Sequence, residues 1–181
     1  NGEKYKSFIQ EFDGLKDRFK DSELVLEPKN ILGYSIGVKK MHGDGYVLCG
    51  NSTEFLDPVF SSGVTLATAS GLTAAKLIER KINGEDIDWD IEYDQLMLKG
   101  VEVFRSYINA WYDGSLQTIF FAKNIDPNFK KQICSVLAGY VWDETNPFVK
   151  KHKTILPTLA KVIKLEQQAR RTARTMDTMK E

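Results

Sequence analysis

The hydrophobic positions of the chain follow a helical period over most of its length. Residues 63–81 predict a long alanine-rich helix, because small and apolar side chains recur there at intervals of three and four. The same spacing predicts further helical segments over residues 3–20, 87–112 and 116–122, from Asp126–Pro127 onward, and after Pro157. A polar tail over residues 166–181 is expected to be a solvated, fraying helix or disordered.

The segment 87–112 carries many aromatic and aliphatic residues at core spacing. We expect its inward face to consist of Ile91, Leu96, Leu98, Val101, Phe104, Ile108 and Trp111. Aromatic residues at this spacing are interpreted first as packing and only second as the lining of a pocket. The segment therefore predicts a core helix.

Residues 31–50 have a different pattern, which predicts a β-hairpin. Residues 34–38 alternate between larger and smaller side chains, residues 41–45 are rich in turn formers, and residues 46–49 form a short apolar run. The second run lacks polar alternation, so we expect both of its faces to be buried. Taken together, the patterns predict a mostly helical α+β fold: a short β-hairpin, then a long Gly/Ala helix, then a C-terminal helical region.

Composition adds few constraints beyond those of an ordinary globular protein. The chain has 181 residues, of which 42% are hydrophobic and 28% charged, with a formal net charge of zero. Zero net charge gives no reason to expect a nucleic-acid partner. No apolar run reaches the roughly 18 residues of a membrane span and no signal-peptide core is present, so we expect a cytoplasmic protein without a membrane span.

The metal-binding and redox-active residue types are scarce. Cys49 and Cys134 lie in apolar contexts and are expected to be buried, reduced thiols. His42 and His152 have no second ligand at metal spacing, so we expect solvated surface histidines and no metal site. We also expect no catalytic acid, base or nucleophile within the chain.

The stretch from Gly50 to Ala67 is the main candidate for chemistry. An apolar run ends at Gly50, a polar loop follows, Asp57–Pro58 forms a rigid turn, and Gly63 opens the alanine-rich helix. The first backbone N–H groups of a helix have no partner within it, and the helix dipole makes its N-terminus attractive to anions. This layout predicts a site for an anion or an electron-rich ligand.

The same residues carry a resemblance to a known family. Gly50–Asn51–Ser52, followed by Asp57–Pro58 and Gly63, resembles the second flavin-binding motif of class A flavoprotein monooxygenases. The run Phe55–Val64 is most similar to the flavin-dependent halogenase branch of that group. Trp111–Tyr112 and the run Leu137–Trp142 also fit the C-terminal part of those enzymes.

The resemblance implies an FAD site in the intact protein, with chloride as a further ligand. Its cofactor-binding residues would be Gly50, Asn51, Asp57, Pro58, Ser62, Gly63 and Val64. The backbone at Ser62 and Gly63 would also hold the halide. Asn51 stands where the family has an aspartate that binds a ribityl hydroxyl, so the charge-assisted form of that hydrogen bond is lost.

The resemblance also implies that a part of the enzyme is absent from this sequence. No Gly-x-Gly-x-x-Gly occurs in it, nor do the family's tryptophan-containing motif and relay lysine. The chain begins with Asn1 rather than methionine, and we expect a C-terminal fragment of a larger FAD/NAD(P)-binding α/β fold, inactive by itself. We expect four parts: residues 1–30, a helical segment from the substrate-domain side; 31–82, the end of the FAD-binding domain; 83–165, a C-terminal helical region; and 166–181, the polar tail.

The function implied for the intact parent is that of an FAD-dependent oxidoreductase. Through a flavin hydroperoxide it would oxidise halide or oxygenate an aromatic or apolar small molecule, with a flavin reductase as a partner. Two alternatives stay open. One is a flavin-free helical interaction module that kept the fold, which Asn51 and the missing dinucleotide motif favour. The other is a flavoprotein similar to geranylgeranyl reductase, which the Phe60–Gly63 run disfavours.

Overall fold

The computed structural model describes residues 2–178, which form two compact units that divide between Tyr34 and Ser35. The first unit contains helices α1 (Gly2–Glu11) and α2 (Asp13–Arg18). The single helix expected over residues 3–20 is therefore wrong. Phe12 has an extended backbone with φ −113° and ψ 113°, and it is followed by Asp13 and Gly14, two weak helix formers.

The second unit begins with four very short strands. Strand β1 (Ile36–Gly37) pairs antiparallel with β4 (Glu54–Phe55), and β2 (His42–Gly43) pairs antiparallel with β3 (Tyr46–Val47). The predicted hairpin is therefore shorter than expected, because the strand beginning at Ile36 finds its partner beyond Gly50. The expected burial of both faces of the 46–49 run is also wrong, since Tyr46 is 57% exposed.

The long helix of the sequence analysis is confirmed as α3 (Gly63–Ile82). Leu66, Ser70, Ala74 and Leu77 form its buried side. The helix ends at Asn83, and Gly84 follows with φ +89°, a left-handed conformation that glycine adopts without steric cost. One face of α3 is thus fixed by packing, and its C-terminal end is set by the left-handed Gly84.

The next helix begins with a wider turn. Asp90–Gln95 is a π-helical segment that continues into α4 (Leu96–Tyr112). The inward face that we expected is correct for Val101, Phe104 and Ile108 but wrong for its N-terminal part, where Tyr93 and Met97 are buried instead. Ile91, Leu96 and Leu98 are each at least 37% exposed, because the π turn shifts the helical period by about one position.

Four more helices complete the unit: α5 (Ser115–Phe120), α6 (Pro127–Leu137), α7 (Pro147–Lys150) and α8 (His152–Thr178). Asp126 and Asn146 cap the starts of α6 and α7 through their side chains. The helix expected after Pro157 starts earlier than predicted, at His152, with Pro157 inside it. Residues 166–173 are exposed on α8, as expected of a solvated helix, and residues 179–181 lie outside the described residues.

The main core lies among α4, α5, α6 and α8. Its fully buried members include Phe104, Tyr107, Leu116, Ile133, Val136, Phe148 and Leu156. A smaller cluster joins the β2–β3 hairpin to α3 and α4 through Met41, Ala74, Leu77, Ile87, Tyr93 and Met97. The Trp142 indole packs over Gly100, where a Cβ would clash with the ring, and its Nε1–H donates to Leu96 O at 2.7 Å.

Candidate functional site

The turn at Gly50 is fixed against helix α3 by its backbone. Gly50 has φ +60°, and a Cβ at this position would lie 3.1 Å from Ala67 Cβ. Its N–H donates a buried hydrogen bond of 2.8 Å to Ser70 Oγ. Positive φ and close approach both favour glycine here, so the chain is held tightly along the first turns of α3.

Asn51 extends this turn toward the start of the helix. Its side chain is exposed, and Oδ1 lies 3.5 Å from the point that a Cβ of Gly63 would occupy. The missing side chain of Gly63 therefore leaves space in which the amide of Asn51 approaches the N-terminus of α3. This arrangement brings a hydrogen-bonding side chain next to the partial positive charge of the helix end.

The Asp57–Ser61 turn is anchored to the C-terminal end of α4. Asp57 Oδ1 accepts from Val59 N at 3.0 Å, and Asp57 Oδ2 accepts from Tyr112 Oη at 3.0 Å. The Phe60 and Trp111 rings pack edge to face, with centroids 5.8 Å apart. Trp111–Tyr112 thus holds the turn in place.

The residues that begin α3 form an uncapped helix N-terminus. Ser61 has φ +55°, Ser62 is only 3% exposed, and Val64 is 77% exposed. The Ser62 side chain makes no capping hydrogen bond, so the N–H groups of the first turn are not used by it. The site thus combines a fixed backbone with a helix N-terminus whose first N–H groups the Ser62 side chain does not cap.

The Leu137–Trp142 run closes the other side of the first turn of α3. Gly139 has φ +102°, and a Cβ there would lie 2.9 Å from Thr65 Oγ1. The loop after α6 therefore lies directly against α3 because it carries a glycine. Both sequence runs outside 50–67 that supported the resemblance contact this region.

A buried carboxylate lies near the same loops. Glu54 on β4 is 7% exposed and pairs with Arg105 of α4, which also pairs with Glu102. Gly37 lies directly over this carboxylate, where a Cβ would clash with Glu54 Oε2. The ion pair holds the β1–β4 ladder against α4, a charged contact that the hydrophobic pattern did not predict.

The structure therefore brings together five of the predicted site residues around the start of α3, namely Gly50, Asn51, Ser62, Gly63 and Val64. Pro58 is exposed, and both carboxylate oxygens of Asp57 accept hydrogen bonds from the protein. The assignment of all seven to cofactor binding stays a prediction. Sequence reasoning missed Ser61, Thr65 and Ser70. Only Ser70 follows a regular spacing, because it lies between Leu66 and Ala74 on the buried side of α3.

The expectations for histidine and cysteine need correction. The His42 side chain is 12% exposed and lies 3.2 Å from Asp90 Oδ1, while His152 Nδ1 lies 2.6 Å from Ser106 Oγ. Neither is a solvated surface histidine. Both thiols are free, but neither is buried as expected, since Cys49 is partly buried and Cys134 is exposed.

Two tyrosines near these elements are held in the neutral form. Burial raises the pKa of Tyr107, and burial together with the neighbouring Cys49 raises the pKa of Tyr93. The Tyr93 hydroxyl donates to Leu48 O at 2.6 Å. These hydroxyls therefore act as hydrogen-bond donors in the core, and Tyr93 fixes the strand that leads into Gly50.

Comparison with known proteins identifies halogenases and a flavoprotein as relatives of this chain. The chain is 32% identical over 132 residues to a 1H-pyrrole-2-carbonyl-[peptidyl-carrier protein] chlorinase of Pseudomonas fluorescens, covering 72% of this chain and 29% of that enzyme. A crystal structure of a flavoprotein/dehydrogenase from Cytophaga hutchinsonii is 51% identical, with a TM-score of 0.82 over 92% of this chain and 41% of that one. A flavin-dependent brominase shares the fold, with a TM-score of 0.61 at 24% identity over 87% of this chain and 37% of that one. No protein-family model matches the chain.

The extent of these matches agrees with the sequence analysis. The chain spans less than half the length of each of the three proteins. The predicted fold class, mostly helical with a short hairpin and part of a larger FAD-binding fold, is confirmed. None of the described helices has both the length and the hydrophobicity of a membrane-spanning segment. The chain is thus a homologue of the flavin-dependent halogenases and corresponds to a part of these larger proteins, as the resemblance to their C-terminal portion predicted.

Proposed function

We propose that this chain supplies the flavin-ring half of the FAD site in a flavin-dependent halogenase. The observation that carries the proposal is the uncapped N-terminus of α3, with Asn51 Oδ1 beside Gly63 and the Gly50 turn closed against Ala67. Backbone donors, a close-approach glycine and a neighbouring amide are the features that a flat, electron-rich ligand requires.

The residues present fit one half of the cofactor. N–H groups of Ser62, Gly63 and Val64 would bind the pyrimidine end of the flavin, with Pro58 beside the ring system. Asn51 would bind a ribityl hydroxyl. The described residues contain no strand–Gly-rich turn–helix unit for the ADP half, which the rest of the complete protein would have to supply.

Within this site, the chain's own contribution is binding and charge stabilisation. Bound FAD supplies the oxidation chemistry. The positive end of the α3 dipole stabilises negative charge on the reduced ring, and the backbone at Ser62 and Gly63 holds chloride or bromide. Tyr112 and Trp111 keep the turn that carries these groups in one position.

The proposed substrate is an aromatic molecule. The Pseudomonas relative acts, by its name, on a pyrrole ring attached to a carrier protein. A relative from Aspergillus terreus is, by its name, a sulochrin halogenase, so related proteins are named for different compounds. Under this proposal the enzyme works in the cytoplasm, and a flavin reductase supplies reduced flavin.

The first experiment measures FAD binding by the complete protein that carries this sequence. Replacing Asn51→Asp restores a charge-assisted hydrogen bond and should tighten FAD binding by about fivefold, whereas Asn51→Ala should weaken it by about as much. Asn83→Ala, at the opposite end of the same helix, is the matched control and should leave the FAD affinity unchanged. A complete protein that binds no FAD would contradict the proposal and favour the flavin-free module.

The second experiment tests the reaction. The complete protein is supplied with FAD, a flavin reductase, oxygen and either chloride or bromide, and offered free and carrier-linked pyrrole-2-carboxylate and a phenol. Mass spectrometry should detect a halogenated product that requires halide. Oxygenated or reduced product without halogen, in a protein that binds FAD, would instead indicate a monooxygenase or a reductase.

A further inference from the structure

A second cluster of chemically competent side chains lies away from the start of α3. His42 on β2 faces Asp90 and Asp94 of the π-helical segment, and one ligand atom from each of the three lies within 4.8 Å of the others. His42 Nε2 is 3.2 Å from Asp90 Oδ1 and 4.0 Å from Asp94 Oδ2. One imidazole and two carboxylates are a donor set that divalent transition-metal ions bind.

Asp94 is the unusual member of this cluster. The residue is 9% exposed, and Oδ2 accepts from Met41 N at 3.2 Å. Its other oxygen, Oδ1, is buried and has no hydrogen-bond partner among the described residues. A buried carboxylate whose second oxygen has no partner is costly, so Asp94 gains from a cation that binds its Oδ2 on the side of His42 and offsets its charge.

The two carboxylates of the cluster are paired unequally. Asp90 has Lys40 Nζ at 3.4 Å, whereas among the described residues the one basic side chain within 4.0 Å of Asp94 is His42. A divalent cation with a neutral imidazole and two carboxylates is electrically neutral. Lys40 is 54% exposed and Asp90 66% exposed, so the lysine can turn into solvent when a cation binds.

The two distances from His42 are close to those in a site for a small cation. Tetrahedral Zn²⁺ with bonds of 2.0–2.2 Å has neighbouring ligand atoms about 3.3 Å apart. The pair His42–Asp90 already has this separation, and the pair His42–Asp94 must close by about 0.7 Å. A water molecule would complete the coordination from the side of Asp90, which is open to solvent.

We infer that His42, Asp90 and Asp94 form a binding site for a divalent transition-metal ion of the Zn²⁺ type, which links the β2–β3 hairpin to the start of α4. The residue spacing in the sequence does not indicate this site, because His42 is far from Asp90 and Asp94 along the chain. The π turn places the two aspartates beside the histidine. The ion would hold Met41 and the strand leading into Gly50 against α4. The site is independent of the proposed flavin function.

The test is a titration of the protein, freed of metal by a chelator, with Zn²⁺ or Co²⁺. Calorimetry should show one ion per chain, Co²⁺ should give the visible absorption of a tetrahedral site, and the melting temperature should rise with Zn²⁺. H42Q and D94N should each weaken binding by at least tenfold. H152Q changes the other histidine and should leave binding unchanged.

A fluorescence measurement keeps the test independent of any folding defect. The Trp89 ring centroid lies 6.0 Å from that of His42, so Co²⁺ in the site should quench the emission of this tryptophan. W89F should remove most of the quenching and keep the calorimetric stoichiometry. Absence of binding by the wild-type chain, or binding that H42Q and D94N leave unchanged while both variants remain folded, would overturn the inference.

Discussion

The loop region of residues 36–62 and the helical core around α4 are held together in different ways. The strands of the loop region are two residues long each, and its turns are fixed by single hydrogen bonds and by glycines that approach neighbouring atoms. The core around α4 is built from large side chains such as Phe104, Tyr107 and Phe148, each at most 1% exposed. The first region presents the candidate flavin site, and the second supplies most of the buried apolar surface.

The difference indicates a division of labour between position and stability. A backbone site needs atoms held within a fraction of an ångström, which glycine contacts and short hydrogen bonds achieve with little burial. Buried side chains stabilise the fold in proportion to the apolar area removed from water. Substitutions in the core should therefore lower the free energy of unfolding, whereas substitutions in the loops should have their main effect on the affinity for the ligand.

The largest expected effect is in the core. Phe104→Ala removes a ring that is 1% exposed, so the free energy of unfolding should fall by about 3–5 kcal/mol through lost burial and the cavity left behind. Phe121 is 78% exposed and serves as a matched control, for which Phe121→Ala should change stability by less than about 0.5 kcal/mol. Urea unfolding followed by circular dichroism measures both. Equal losses in the two variants would refute the description of the core.

The next effect is in the loop region, at Gly50. Gly50→Ala combines a left-handed φ of +60° with a Cβ 3.1 Å from Ala67, and should cost about 2–3 kcal/mol. Gly45 has φ +75° but nothing within 4 Å of its added Cβ, so Gly45→Ala should cost only about 1 kcal/mol. The difference in urea unfolding between these variants isolates the close approach to α3.

The same pair also tests the division of labour. In the complete protein, Gly50→Ala should weaken FAD binding even under conditions in which the variant stays folded, because the turn moves away from α3. Gly45→Ala should leave the FAD affinity unchanged. If the two variants bind FAD equally well, the Gly50 turn has no part in the site.

The sequence predicted the helices better than the loops, for a physical reason. Side chains recurring with a period of 3.6 predicted α3 and most of α4, since each helix buries one face along its whole length. The predicted hairpin pairing failed because a strand of two residues carries almost no pattern, and Ile36 pairs with Phe55 across the intervening hairpin and turn. The π turn at Asp90–Gln95, which brings Tyr93 and Met97 into the smaller cluster, likewise depends on tertiary contacts, whereas the break at Phe12 precedes the weak helix formers Asp13 and Gly14.

The candidate site was predictable only as far as its motif extended. Gly50, Asn51 and Gly63 were predicted because a turn, a loop and a helix start follow one another directly in the sequence. The contacts that support this site were not predictable, since Gly139 and Tyr112 reach it from other elements and Ser70 accepts from Gly50, which is 20 residues away in the sequence. The His42 cluster was missed entirely, because a metal-ligand pattern in sequence needs ligands at short spacing, and Asp94 is distant along the chain.

The smallest expected effect is a pH dependence of stability that comes from the helical region. Burial, with a smaller contribution from Lys153, lowers the pKa of His152, while Glu102 opposes the shift. An unfolded histidine titrates near pH 6.5, so the unfolded chain takes up this proton at a higher pH than the folded chain. Stability should therefore be full above about pH 6.5 and decline as the pH falls through the lowered pKa of His152.

The measurement that isolates this histidine compares the wild-type chain with His152→Gln at about pH 7.5 and pH 5. Glutamine does not titrate, and its amide can still bond to Ser106 Oγ, which lies 2.6 Å from the imidazole in the wild type. The variant should lose less stability than the wild type between the two pH values, because only the wild type must accept a proton at a partly buried site. His42 is present in both chains, so whatever it contributes cancels. An equal loss of stability in the two chains would mean that burial of the His152 imidazole does not make folding pH-dependent. The tight packing of the helical core would then not include residue 152.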